Sequence, residues 1–116
     1  MRPLTALLSV AALVGCVLEA PCTDLFAYGV NVTLTNAVTG EPVSNATLTL
    51  AEGSYTEVMQ SIPTGDYVGA GERAGTYTLT ATAPGFQPQT ISDIVVTADR
   101  CHVQGVHLDV ALQPTP

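Results

Sequence analysis

From Val30 onward the chain is written in steps of two. Val30, Val32 and Leu34 alternate with Asn31, Thr33 and Thr35, a period that turns one face of a strand inward and the other to water. The run Asn36 to Pro42, with Thr39-Gly40-Glu41-Pro42 at its end, is turn chemistry, and Ala46, Leu48 and Leu50 alternating with Thr47 and Thr49 predict the next strand. Shorter strands are predicted over 55–60 and 66–69, divided by the breakers Ile62-Pro63-Thr64-Gly65 and closed by Gly69-Ala70-Gly71. The clearest strand covers 75–83, where Tyr77, Leu79, Ala81 and Ala83 alternate with threonines at 76, 78, 80 and 82. Strands over 91–97 and 106–112 complete a set of seven. Seven short strands with frequent turn signals and no helical period predict an all-β, seven-stranded Greek-key β-sandwich over residues 25–112, followed by a tail at 113–116.

Three stretches also carry a family resemblance. They are Thr39-Gly40-Glu41-Pro42-Val43-Ser44-Asn45-Ala46 with Leu48 and Leu50, then Ala74-Gly75-Thr76-Tyr77-Thr78-Leu79, then Ala83-Pro84-Gly85-Phe86. Together they resemble the carboxypeptidase regulatory-like domain, and the resemblance covers about residues 30–112. It implies a transthyretin-like (prealbumin-like) sandwich and says nothing of an activity. Gly40 suits a turn with an unusual backbone angle, Pro42 pre-sets the following strand, and Gly85 allows a corner before Phe86 folds back on the core.

The first residues follow a different pattern. Arg2 precedes an apolar run from Leu4 to Gly15 broken only by Thr5 and Ser9. At about 12 residues, roughly 18 Å as a helix, the run is too short to span a bilayer and reads as an export signal. Leu13-Val14-Gly15-Cys16 resembles the bacterial lipobox, which implies removal of residues 1–15, a diacylglycerol thioether on Cys16, and a lipidated tether over 16–24. A thiolate is the nucleophile that such an alkylation needs, and Gly15 lets a peptidase approach the backbone. An ordinary secretory signal cut after Ala20 fits less well, because Leu18-Glu19 sets a large residue and a charge where small ones are wanted. The partner implied for Cys16 is membrane lipid, in a bacterial cell envelope. The absence of an acidic residue at Val17 and Leu18 points to the outer membrane.

Assigning Cys16 to lipid leaves Cys22 and Cys101, which flank the strands and form an even pair in an oxidising compartment. A disulfide between them is expected, two buried thiols being the other arrangement. Composition narrows the partners further. With 16 Thr, 14 Val, no Lys and no Trp the chain favours strands, and after loss of residues 1–15 only Arg73 and Arg100 face ten acids, a formal charge of −8. Such a surface excludes nucleic acid and adhesion to anionic headgroups by basic patches.

Candidate chemistry is sparse. His102 and His107 stand five apart and point to opposite faces of a regular strand, so they share no metal unless a bulge at Gly105 changes the register. Asp93, Asp99 and Asp109 lack the one-loop spacing of an EF-hand and read as a solvated rim. There is no Gly-x-Ser-x-Gly elbow. The resemblance to transthyretin-like folds brings in two kinds of enzyme, but the Tyr-Arg-Gly-Ser run of hydroxyisourate hydrolases is missing and the two His do not reproduce the iron site of intradiol dioxygenases. Asn31-Val32-Thr33 and Asn45-Ala46-Thr47 match glycosylation sequons and read as ordinary strand residues. Neither a catalytic residue nor a cofactor or metal is expected. Tyr77 and Phe86 are assigned to the core, and Tyr28, Tyr55 and Tyr67 form the best candidate binding surface. The expected function is a non-catalytic, lipid-anchored envelope module with a structural or protein-interaction role. The alternative is a module that binds a glycan or small ligand at the cell surface.

Overall fold

In the computed structural model the described residues are 21–116. The expected signal segment 1–15 and the lipid attachment at Cys16 lie outside them. The described chain is all β: β1 (Tyr28–Asn36), β2 (Thr47–Glu52), β3 (Tyr55–Val58), β4 (Gln60–Ile62), β5 (Asp66–Gly71), β6 (Gly75–Thr82), β7 (Gln89–Ala98), β8 (Val103–Gln104) and β9 (Val106–Leu112). They form a first sheet in the order β4-β5-β1-β9 and a second in the order β3-β2-β6-β7-β8.

The expected seven strands become nine, for two local reasons. The run 55–60 keeps one alternation of burial, Tyr55, Glu57 and Met59 against Thr56, Val58 and Gln60, but changes sheet at a single residue, Met59, so that β3 pairs with β2 and β4 pairs with β5. The second addition is β8, a two-residue piece paired with the end of β7. It passes to β9 through Gly105 alone, where an added Cβ would sit 2.7 Å from the Tyr28 carbonyl oxygen. Each crossing carries the chain from one layer to the other, which pattern along the sequence does not reveal.

Alternation does decide which side chains meet. Val30, Val32, Leu34, Tyr67, Val110 and Leu112 of the first sheet face Leu48, Leu50, Tyr77, Leu79, Ala81, Ile94 and Val96 of the second in one buried apolar cluster. No polar or charged residue type is buried among the described residues. In the second sheet the paired Leu50 and Leu79 sit at the centre, each fully buried. Burial of a leucine is worth roughly 1.5–3 kcal/mol, so this layer holds the sheets together. Phe86, assigned to the core, is only half-buried, packed against its margin.

Pairing is antiparallel except between β1 and β9, which run parallel from Val30↔Val106 to Asn36↔Leu112. Along β6 and β7 the register slips between Tyr77↔Ile94 and Leu79↔Ile91, so that β7 carries one extra residue opposite Thr78. Asp93 absorbs this bulge with a φ of 61°. Gly40 (φ 78°) and Gly85 (φ 82°) take the left-handed angles that their turns require.

Candidate functional site

The polar side chains gather at the end of the sandwich where the N-terminal segment meets the loop between β7 and β8. Asp99 builds that loop. Its Oδ1 accepts the N–H groups of Cys101 and His102, both at 2.8 Å, and its Oδ2 accepts from Gln104 Nε2 at 2.8 Å. Those backbone bonds, His102 first and Cys101 next, hold its carboxyl below the usual aspartate value. The turn presents Cys101 to Cys22, and the two form a disulfide with Cα atoms 5.3 Å apart. The expected pairing is therefore realised.

Glu72, at the start of the β5–β6 turn with φ 49°, fastens the same segment a second time. Its Oε2 accepts the Ala27 N–H at 2.9 Å and faces His102 Nδ1 at 2.7 Å, while Oε1 accepts the Val103 N–H at 3.2 Å. The backbone bond from Ala27, then the bond with His102, lowers the pKa of this exposed carboxyl. Because a carboxylate only accepts, His102 Nδ1 donates to it, and the other ring nitrogen, Nε2, lies 3.1 Å from Thr23 Oγ1. Disulfide, carboxylate and imidazole thus form one clasp around residues 22–27. Phe26 lies on Gly71, where any Cβ would collide with its ring, and stacks edge-to-face on Tyr28 with centroids 5.1 Å apart.

A second polar group closes the neighbouring β2–β3 hairpin. The Arg73 guanidinium lies 3.6 Å above the Tyr55 ring and donates through Nη1 to Glu52 Oε1 at 2.8 Å and to Tyr77 Oη at 2.9 Å. Tyr77 in turn donates to the Arg73 carbonyl at 2.7 Å. Glu52 also accepts the Thr76 N–H, the first cause of its lowered pKa, with the Arg73 hydrogen bond second. Tyr55 donates to Glu57 at 2.7 Å, and this bond raises the phenol pKa above its ordinary value. Glu57 accepts the Ala70 N–H as well.

The proposed tyrosine surface does not assemble. Tyr67 is 1% exposed; its hydroxyl donates to the Val43 carbonyl at 2.8 Å and accepts the Ala46 N–H at 3.1 Å. It is a core residue with a satisfied polar tip, which corrects its assignment to a binding face. Tyr55 lies under Arg73, and half-buried Tyr28 packs with Phe26 beside the clasp. His102 and His107 are likewise apart: His102 belongs to the clasp, whereas His107, on β9, faces Asp109 and Thr33, both at 3.2 Å. Among the described residues no group of three or more His, Cys, Asp or Glu is placed to hold a metal.

Sequence reasoning did not single out Glu72, Glu52 or Glu57. The backbone N–H groups they accept lie 13 to 45 positions away, and no local spacing announces them. The only local signal is the Gly71-Glu72-Arg73 group, two charges set in an otherwise apolar and threonine-rich stretch. Comparison with known proteins gives one family. The pattern of the carboxypeptidase regulatory-like domain matches residues 29–113. No curated protein matches the chain significantly.

Proposed function

Since the chain belongs to the carboxypeptidase regulatory-like domain family, we propose that it works as a non-catalytic module, held at a bacterial envelope membrane by lipid on Cys16 and serving a structural or protein-interaction role there. The winding we assign to the sandwich is the prealbumin-like Greek key. The family match is the observation that carries the non-catalytic part of the reading, the use made of the ionisable groups supports it, and the anchor rests on the run Leu13-Val14-Gly15-Cys16. The carboxylates of Glu52, Glu57, Glu72 and Asp99 all accept backbone N–H groups. A carboxylate spent in this way holds a loop and leaves little freedom for acid–base work.

The tether follows from the same reading. Cys16 lies six residues before Cys22, a span of at most ~20 Å when extended. With Cys22 fastened to Cys101, the body stands close to its membrane. Two or three acyl chains, at ~0.8 kcal/mol per buried methylene, hold such a chain at a bilayer without help from its acidic surface.

Intact mass of the protein extracted from its native membranes, with thiols alkylated before and after reduction, tests the proposal. The expected species starts at Cys16, carries two or three acyl chains and yields two thiols only on reduction. A lipid-free chain starting at Pro21 would replace it with a diffusible binding protein, for which glycan or small-ligand binding leads.

A further inference from the structure

The sheets leave several edges, and they are not alike. β3 and β4 are short, four and three residues. The outer side of β7 is bent by the bulge at Asp93 and covered at its end by β8. Bulges and short strands are the usual ways of blunting an edge. β9 has neither. It is seven residues long, holds no Pro or Lys, and bonds to β1 on one side, with no strand on the other among the described residues.

Its free window is well defined. The Leu112 carbonyl accepts the Ala37 N–H at 2.8 Å, so Val106, Leu108, Val110 and Leu112 turn their backbone groups toward β1, and His107, Asp109 and Ala111 turn theirs outward. Beyond Leu112 the outer side is closed, because Gln87 N–H bonds to the Gln113 carbonyl at 2.8 Å and Thr115 N–H to the Gly85 carbonyl at 2.9 Å. At the other end the chain leaves for the second sheet at Gly105.

We propose that β9 is a pairing surface for β9 of a second copy of this chain, antiparallel about a two-fold axis at Leu108. The charges select that register. An axis at Asp109 sets two carboxylates face to face, and an axis at Val110 runs His107 into the closed stretch at Gln113. The axis at Leu108 sets each His107 opposite the partner's Asp109, both with outward backbone groups, so two pairs exchange four backbone hydrogen bonds. Their side chains share the solvent face at the distance where polar partners interact. On the inner face, half-buried Leu108 meets its own copy and half-buried Val106 meets the partner's Val110. The edge is complementary to itself in backbone, polar side chains and apolar surface, as an isologous contact requires.

Sedimentation equilibrium of the full chain in density-matched detergent is the test. The expected species has the mass of two chains. His107→Asp places like charges opposite each other twice and weakens association about tenfold. The exchange His107→Asp with Asp109→His restores it. Oxidative trapping reads the register independently: Leu108→Cys gives a covalent pair and Asp109→Cys does not. A single-chain mass at all concentrations, an unchanged association constant in His107→Asp, or equal trapping at 108 and 109 overturns the proposal. Circular dichroism of each variant confirms the β fold, and if His107→Asp does not fold, the trapping comparison decides alone.

Discussion

The middle of the sandwich and its clasped end are held by different physics. In the middle, Leu48, Leu50, Tyr77 and Leu79 pack against Val30, Val32 and Leu34, and the interaction is area removed from water, without direction. At the clasped end a covalent bond, two carboxylates and an imidazole fix residues 22–27 by directed contacts on exposed atoms. The first arrangement makes the fold cooperative, and any part of it lost is felt throughout. The second fixes where the chain leaves the fold, and apart from the disulfide its contacts count locally.

The largest effect that separates the two comes from the disulfide. Replacing Cys22 and Cys101 by Ser lowers unfolding stability by about 4 kcal/mol, since the bridge restrains a long loop of the unfolded chain. The β1–β9 sheet should persist, with the loss read as a lower denaturant midpoint and an unchanged circular dichroism spectrum. Leu79→Ala comes next, at about 3 kcal/mol from lost burial plus the cavity left at the centre of the second sheet. Here amide exchange accelerates across both sheets, while a disulfide-linked Cys22–Cys101 remains.

The smallest and most local effect is at Glu72. Both Glu72 and Asp99 have lowered pKa values in the fold, so their contribution is fully present above the unfolded values of 4.5 and 3.8 and is lost as pH falls through the folded ones. Acid below those unfolded values therefore opens the clasp before it affects the core. Exchange at the Ala27 and Val103 amides is the readout, and Glu72→Gln reproduces at neutral pH the faster exchange that acid produces in the parent chain. Equal acceleration at Val32 and Leu79 would mean that clasp and core are one unit.

The same division explains how much could be read from the sequence. β6 was plain because four threonines alternate with Tyr77, Leu79 and Ala81, and a strand buried on one face needs nothing else. The pairing of Cys22 with Cys101 followed from count and compartment. The split of 55–60 was hidden because Met59 keeps the period while the chain changes layers. Tyr67 was misplaced because its hydroxyl is satisfied by Val43 and Ala46, residues more than twenty positions earlier, and its own strand gives no sign of them. Glu72 and Asp99 lie in turns, where residue type is weakly constrained by burial, and their roles depend on contacts made only once the sheets have closed.

The bond between Cys22 and Cys101 also sets a force path. Tension entering along residues 16–21 meets the sulfur bridge before it meets β1, and passes through it to the turn between β7 and β8. Residues 23–100, which hold most of the sandwich, form a slack loop in parallel with that route. A load on the leading end of the chain is carried by a covalent link and leaves the hydrogen-bonded edges of β1 unpeeled.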